Sequence, residues 1–269
     1  MPLDDDEASP GSVKSAHRTL SILELLTRAD SPLTFGEISS ALGYPRSSLF
    51  GLLNTLQARR WIELDESART YRLGVRTFEA GNAYGRSLSL LPIAMPHMRR
   101  VCHALDETVQ IAVLDGRYNV YLGKVEGKSH LRLASEVGRR LEAHATALGK
   151  MLLAGLTDEE FDRLFDGVEL EVFTPNTCAT LTALKDELDK TRTRGYAEDN
   201  EEYTTGVRCF AVPVPNHMGR TIAALSVSFP TVRFTDAKGE EARALLWKAA
   251  DGTSATLGYR SNAIAGKSI

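Results

Sequence analysis

The feature that most restricts the fold is a pair of helix signals separated by only about three residues. Thr34 followed by Glu37 has the spacing of a capping box, in which each residue satisfies a free backbone N–H group of the other. Gly43 is suited to end this helix in a left-handed conformation, and Pro45 suits the first turn of the next. The sequence therefore predicts a short second helix and, over residues 45–58, a third.

Flanking segments complete a domain. A first helix is indicated by apolar residues at helical spacing, namely Val13, Ala16, Leu20, Ile22, Leu23, Leu25 and Leu26. After the third helix, two alternating segments on either side of the turn 65–68 predict a hairpin with Arg69 at its tip. Three helices and a basic hairpin predict a winged helix-turn-helix over residues 13–75, preceded by a disordered acidic tail, residues 1–12.

The helix over residues 45–58 is the candidate recognition helix, because its leucine stripe leaves other side chains outside. Such a helix enters the major groove with its N-terminal residues at base edges, where Arg pairs with guanine and Asn with adenine. Basic side chains elsewhere hold phosphates in a salt-sensitive way. The candidate DNA-binding residues are Lys14, Arg18, Thr34, Arg46, Ser47, Ser48, Phe50, Asn54 and Arg69. The alternative is an ordinary solvated helix face.

Charge supports this placement. The formal net charge of −3 argues against a uniformly basic nucleic-acid binder, but residues 11–76 carry nine bases against six acids and form the only positive region. The partner expected from this region is double-stranded DNA.

The rest of the chain predicts an α+β domain with a mostly antiparallel sheet. Residues 76–91 are a weakly apolar linker helix, as expected of a helix that bridges domains or pairs with its copy in a dimer. In the domain over residues 92–260 the strands are expected to be grouped with the helices at one side. Strands are predicted at 109–113, 120–122, 131–133, 207–211 and 222–228, and helices near 91–105, 144–155, 158–165, 180–194 and 236–257. Residues 261–269 form a C-terminal tail.

Several function classes are disfavoured. The three cysteines, Cys102, Cys178 and Cys209, are an odd number without a C-x-x-C pair, which fits neither a disulfide framework nor a zinc site and indicates a reducing compartment. No secretory signal or 18-residue apolar stretch occurs, so a soluble cytoplasmic protein without membrane contact is expected. Gly149-Lys150 lacks the other residues of a phosphate loop, and no common catalytic motif occurs. We expect no enzyme activity, cofactor or metal.

Longer motifs carry a family resemblance. Residues 12–26, 33–49 and 71–74 look like the DNA-binding domain of the IclR family of bacterial transcription regulators. Val137-Gly138 with His144-Ala-Thr-Ala-Leu-Gly-Lys150 resembles one C-terminal signature of that family. The segment from Gly195-Tyr-Ala-Glu-Asp-Asn-Glu-Glu202 to Gly206-Val-Arg-Cys-Phe-Ala-Val-Pro-Val214 resembles the other. The resemblance covers about residues 12–260.

The resemblance implies a winged helix-turn-helix, a helical linker and a GAF-like effector domain that binds a small molecule, usually a carboxylate. It implies a homodimer or tetramer acting on near-palindromic operators. By position, the effector residues are Leu133, Leu141, Ala147, Leu148, Asp199, Cys209, Ser226 and Ser228. The chain departs from the family at Gly51, commonly basic, and Phe50, often histidine or a similar polar residue; Phe50 offers instead a contact to a thymine methyl.

The residues themselves are compatible with such a pocket. Ser226 and Ser228 share one strand face, although they are also suited merely to fill a tight contact between sheet and helix. Backbone N–H groups near Ala147 and Leu148, which open a helix, form an anion site. Asp199 is expected to accept a bond from a hydroxyl or water and not to face a carboxylate, since like charges repel.

The function predicted is therefore a ligand-responsive DNA-binding transcription regulator, in particular a repressor controlled by a small carboxylate. Two alternatives remain. One is a small-molecule sensor that has lost DNA binding, as Gly51 and Phe50 suggest. The other is a small-molecule enzyme that uses Asp199 and Cys209.

Overall fold

A computed structural model describes residues 13–88, 90–127 and 136–259. The tails predicted over residues 1–12 and 261–269, the strand predicted over residues 131–133 and the candidate residue Leu133 lie outside the described residues. The described chain forms two compact units, with the boundary between Ser87 and Leu88.

The first unit is the predicted winged helix-turn-helix. Its elements are α1 (Lys14–Arg28), β1 (Leu33–Thr34), α2 (Phe35–Leu42), α3 (Arg46–Ala58), β2 (Ile62–Asp65), β3 (Thr70–Leu73) and α4 (Val75–Leu88). The three strands form an antiparallel sheet in the order β1-β3-β2. The helix-turn-helix and the hairpin predicted from the sequence are both present.

Local signals determine the ends of α2. The Thr34 hydroxyl oxygen accepts a bond from the Glu37 N–H (3.2 Å), and a Glu37 carboxylate oxygen accepts one from the Thr34 N–H (2.7 Å). The bonds that the Thr34 N–H and hydroxyl donate to the Glu37 carboxylate lower the pKa of Glu37 below its ordinary value. Gly43 has a φ of 62°, in the left-handed region, as predicted. α3 begins one residue later than predicted, with Pro45 immediately before it.

The predicted apolar face of α1 is too wide. Val13 and Leu20 are 67% and 59% exposed, whereas Ile22 and Leu26 are buried in the core that α1 shares with α2 and α3. The packing partners of a helix cover only part of an apolar arc, and helical spacing alone does not show which part.

The described residues of the second unit form a six-stranded sheet and five helices longer than a single turn. Its elements are α5 (Leu90–Leu105), β4 (Thr108–Asp115), β5 (Tyr118–Val125), β6 (Arg140–Glu142), α6 (Ala147–Ala154), α7 (Asp158–Phe165), α8 (Leu181–Arg194), β7 (Ala197–Asn200), β8 (Val207–Pro215), β9 (Thr221–Pro230) and α9 (Asp236–Thr256). The strand order is β6-β5-β4-β9-β8-β7, and every described pair is antiparallel. The predicted α+β class is confirmed.

Helices cover both faces of this sheet, so the expectation that they lie at one side is wrong. Leu225 and Val227 of β9 face one core with α5 and α9, whereas Ala224 of the same strand faces a second core with α6, α7 and α8. β9 is buried from Ala223 to Pro230 because it is a central strand with both faces covered. The two cores thus enclose the sheet as a middle layer.

Two predicted helix boundaries are also corrected. The helix predicted over residues 144–155 is divided, because Thr146 is extended (φ −120°, ψ 150°) and separates a 3-10 turn, Ala143–Ala145, from α6. The linker helix predicted over residues 76–91 ends at Leu88, and Leu90 and Leu91 already belong to α5. Among the described residues, none of the helices combines the length and apolarity needed to cross a bilayer.

Candidate functional site

A narrow cavity lies in the second unit between α6, the sheet and the segment that follows β7. Of the predicted effector residues, the structure brings together Leu141, Ala147, Leu148, Asp199, Cys209, Ser226 and Ser228 as lining residues. The lining also includes Gln110, Tyr121, Thr146, Tyr203, Thr204 and Val207. Its volume is about 40 Å³, which is small for a ligand of several heavy atoms.

One wall of the cavity is the N-terminus of α6. The Thr146 hydroxyl oxygen accepts a bond from the Gly149 N–H (3.0 Å) and donates its proton to Asn119 Oδ1 (2.8 Å). The first N–H groups of a helix have no partner within the helix, and they carry the positive end of its dipole. Ala147 and Leu148 supply those groups here, so this wall can receive an anion.

The opposite wall is a chain of polar side chains on three adjacent strands. The hydroxyls of Ser226 and Ser228 both donate to Gln110 Oε1, at 3.0 and 3.1 Å. The Cys209 thiol donates to Ser228 Oγ (3.1 Å). Burial raises the pKa of this thiol well above its ordinary value, which keeps it protonated and unreactive at neutral pH. The two serines are therefore hydrogen-bonded members of a polar network.

Asp199 is the acidic residue among the described lining residues of the cavity. Its Oδ1 accepts a bond from the Glu202 N–H (2.7 Å), and the Tyr203 N–H also stabilises the charged carboxylate. Burial outweighs both bonds and raises the pKa of Asp199 to about 7. Near neutral pH a large fraction of this side chain is a neutral acid that can donate a hydrogen bond, which the sequence did not predict.

A buried ion pair lies beside Asp199. Lys150 Nζ is 2.5 Å from Glu202 Oε1 and 3.7 Å from Glu187 Oε1, and the Lys150 side chain is 1% exposed. Glu187 also pairs with Arg194 at 2.7 Å. Burial raises the pKa of Glu202, and the lysine opposes that rise. This pair connects α6 to the segment that carries the backbone donors of Asp199.

Sequence reasoning missed some lining residues that carry a signal. Gln110 is a polar residue inside the apolar strand Thr108–Asp115, and its partner on β9 is Ser226. Tyr203 and Thr204 directly follow the motif that ends at Glu202. Lys150 belongs to a quoted motif, but its burial depends on helix packing that the local sequence does not encode. Among the described residues, no cluster of His, Cys, Asp or Glu is arranged to hold a metal.

The second candidate site is the outer face of α3, where Arg46, Ser47, Phe50 and Asn54 are exposed. Ser48 lies to one side and accepts a bond from Arg18 (3.1 Å), whose guanidinium also lies 4.8 Å from the Tyr44 ring centre.

The remaining DNA candidates lie outside α3. Lys14 is exposed at the start of α1, and Arg69 is exposed in the hairpin turn with a φ of 52°. Thr34 uses its hydroxyl in the cap of α2. The helix-turn-helix thus presents one exposed face of α3 and one exposed hairpin tip.

Comparisons with known proteins agree with these two units. Residues 15–66 match the family described as IclR helix-turn-helix domain, and residues 82–255 match the family described as bacterial transcriptional regulator IclR C-terminal. The chain is 40% identical to the HTH-type transcriptional regulator XynR of Escherichia coli K12 over 92% of this chain and 98% of XynR. It is 32% identical to the HTH-type transcriptional repressor AllR of the same strain, over 95% and 96% of the two chains.

A solved structure shares the fold. An IclR homologue from Microbacterium hydrocarbonoxydans, complexed with 4-hydroxybenzoate, has a TM-score of 0.80 and 26% identity over 90% of this chain and 98% of that one. The relatives are helix-turn-helix regulators and not enzymes, which removes the enzyme alternative. With both units matched and relatives aligned along almost their full length, the chain belongs to the IclR family of bacterial transcription regulators, whose members bind DNA.

Proposed function

We propose that this chain is a repressor, dimeric or tetrameric, that binds a near-palindromic operator and responds to a small carboxylate in the α6 cavity. The observation that carries the proposal is the pairing, in one cavity, of a helix N-terminus with Asp199, a buried acid whose pKa is raised to about 7. Both features favour an anion. AllR, a relative, is named as a repressor, and the Microbacterium homologue holds 4-hydroxybenzoate, which has a carboxylate.

The narrowness of the cavity supports a way in which a ligand acts on DNA binding. In our proposal, a ligand of several heavy atoms moves the wall formed by residues 199–207, and this movement changes how the two subunits are arranged. A ligand shifts such an equilibrium only through different affinities for the two arrangements, so operator and effector must alter each other's binding by the same factor.

The proposal that the effector is a carboxylate is tested by thermal denaturation of the protein with a panel of 2-oxo acids, aromatic acids and sugar acids. A ligand at 100 times its dissociation constant stabilises the folded state by about 2.7 kcal/mol, or a few degrees. The neutral amide of each acid has the same skeleton and serves as the matched control. Stabilisation by an acid but not its amide supports the proposal, and operator affinity is then measured with and without that acid. If none of the acids shifts the melting temperature, the assignment of the effector as a carboxylate is rejected.

The polar wall gives a prediction for Ser226. Replacing it with valine removes a hydroxyl that bonds to Gln110 and adds two methyl groups to a narrow cavity. We expect the effector to bind at least about tenfold more weakly, since a lost bond and overpacking each cost on the order of 1 kcal/mol. Operator binding without effector should not change.

The control is Ser254→Val, the same change at a buried serine of α9 that does not line the cavity. Calorimetric titration of each variant measures effector affinity. If Ser226→Val binds as tightly as Ser254→Val, the ligand does not occupy this cavity.

On the DNA side, we propose that α3 contacts base edges and that Lys14 and Arg69 contact phosphates. Arg46→Ala is expected to weaken operator binding by about 1–3 kcal/mol and change base preference, whereas Arg69→Ala weakens all sequences about equally and lowers the salt slope by about one. Fluorescence anisotropy with operator and scrambled duplexes distinguishes the two effects.

Arg163→Ala, at an exposed position of α7, is the control with the same loss of charge in the other unit. An unchanged base preference in Arg46→Ala would assign that arginine to a phosphate. Binding of every duplex with equal affinity by the unaltered chain would favour a sensor that has lost operator recognition.

A further inference from the structure

A groove with apolar walls runs between α3 and the β2-β3 hairpin. Phe35 and Phe50 line it from the helices, and Leu64 lines it from the hairpin. Arg46 and Arg69 lie along the same groove, with Glu66 as the acidic member. The groove therefore combines an apolar lining with an excess of positive charge, on the face that carries the candidate base contacts.

Phe50 differs from the other apolar and aromatic residues of the groove because its side chain is exposed. Its side chain is 57% exposed, whereas the leucines of α3 at positions 49 and 53 are fully buried. The core therefore does not require the ring. The adjacent residue is Gly51, and a Cβ placed there would have nothing within 4 Å. The surface beside the ring is open, so a large partner can approach it closely.

The neighbouring arginine is held on the groove wall. The Arg46 guanidinium lies 5.4 Å from the ring centre of Phe35, which favours that position by a cation–π contact. Phe50 and Asn54 are one helical turn apart and share the outer face of α3. A duplex that reaches Asn54 in its major groove therefore also meets the Phe50 ring.

Phenylalanine has no hydrogen-bonding group, so it cannot read the donors and acceptors of a base. The apolar feature of the major groove is the C5 methyl group of thymine. The two arginines beside the ring favour a polyanion such as DNA over an apolar protein segment, which would leave their charges without partners. DNA is also the partner that the family binds.

We infer that Phe50 determines operator specificity by packing its ring against thymine methyl groups in each half-site. The operator then contains thymine at the position that Phe50, in the second turn of α3, faces. This inference rests on the proposed operator function and adds the chemical identity of a base that the chain selects.

The test begins by selecting duplexes from a random library with the full-length chain. Thymine at a fixed position of each half-site is the expected result. That thymine is then replaced with deoxyuridine, which removes the methyl group and leaves base pairing intact. Burial of one methyl group corresponds to about a fourfold change, so each replacement should weaken binding by about that factor.

The Phe50→Ala variant should bind thymine and deoxyuridine duplexes equally, because the ring that contacts the methyl group is gone. Asn54→Ala, on the same face, is the control and should keep the full preference for thymine. Both positions are exposed, so folding is retained, and thermal denaturation verifies this.

Other results would overturn the inference in distinguishable ways. If Phe50→Ala keeps the thymine preference, another side chain reads the methyl group. If it weakens all duplexes equally, Phe50 packs on the sugar-phosphate backbone. If the selection enriches no sequence at all, operator recognition itself is absent, and the proposed function fails together with the inference.

Discussion

Replacing Lys150 with methionine is expected to destabilise the second unit by about 3–5 kcal/mol, the usual cost of removing one partner of a buried ion pair. Methionine has nearly the same length, so packing is largely kept. The Glu202 carboxylate, 2.5 Å from the ammonium group, loses its main positive partner in a buried site. Glu187 keeps its pair with Arg194, and the loss therefore falls on Glu202.

Lys185→Met provides the matched control. Lys185 pairs with Asp162 at 2.6 Å, nearly the same distance, but the two side chains are 51% and 61% exposed. Water screens exposed pairs, so this change should alter the free energy of unfolding by less than about 1 kcal/mol. The chain has two tryptophans, so all variants are made with Trp61→Phe as well. Trp247 of α9 is then the fluorescent reporter of the second unit during urea denaturation.

The pH dependence of the stability lost in Lys150→Met identifies the cause of that loss. Burial already raises the pKa of Glu202, and removing the lysine raises it further. A carboxyl whose pKa is raised by folding stabilises the folded state at low pH, and this contribution is lost as the pH rises. The deficit of Lys150→Met should therefore be smaller at pH 5 than at pH 8, and Lys150→Met with Glu202→Leu should recover part of it. A deficit no larger than that of Lys185→Met would contradict the ion-pair explanation.

The sequence predicts those parts of the fold that depend on neighbouring residues. The capping box at Thr34, the left-handed Gly43 and the alternation of Ser226 and Ser228 are each determined within a few residues, and each has the predicted place in the structure. The failures involve contacts between distant segments. The exposure of Leu20 and the helices on the second sheet face depend on which elements pack together.

The candidate cavity likewise has features that the sequence predicts and features that depend on contacts between distant segments. Motif resemblance located part of its lining, such as Ala147, Leu148, Asp199 and Cys209, because the family signatures lie on segments that surround it. The chemical state of Asp199 was not predictable in this way. A carboxyl in a sequence is an anion by default, and it is burial first, with a contribution from the charge of Glu202, that raises the pKa of Asp199 to about 7.

That raised pKa predicts how effector binding depends on pH. An anionic ligand beside Asp199 binds best when the acid is protonated, so the affinity for a carboxylate should be nearly constant below pH 6. Above pH 7 it should fall by about tenfold per pH unit, the slope for binding coupled to one proton. Between pH 6 and pH 9 the loss approaches about 100-fold. A ligand acid with a pKa below 5 keeps its own charge throughout this range.

The Asp199→Asn variant separates this effect from others. The asparagine amide stays neutral and can still donate a hydrogen bond, so the affinity of this variant for the carboxylate ligand should be independent of pH. Asp162→Asn, at an exposed position of α7, should keep the slope of the unaltered chain. Titration calorimetry in buffers of different ionisation enthalpy also measures the proton uptake directly, and we expect about one proton per ligand at pH 8.

Without ligand, the same acid makes folding pH-dependent in a defined direction. Folding raises the pKa of Asp199 from 3.8 to about 7, so the folded state holds the proton more tightly than the unfolded chain does. Stability from this group is complete below about pH 4 and is lost as the pH rises through 7. Between pH 5 and pH 8 the free energy of unfolding of the unaltered chain should fall by about 2–3 kcal/mol relative to that of Asp199→Asn.

For effector binding, the contrary result is an affinity that increases as the pH rises. Asp199 then acts as an anion that accepts a hydroxyl, which is the role expected from the sequence.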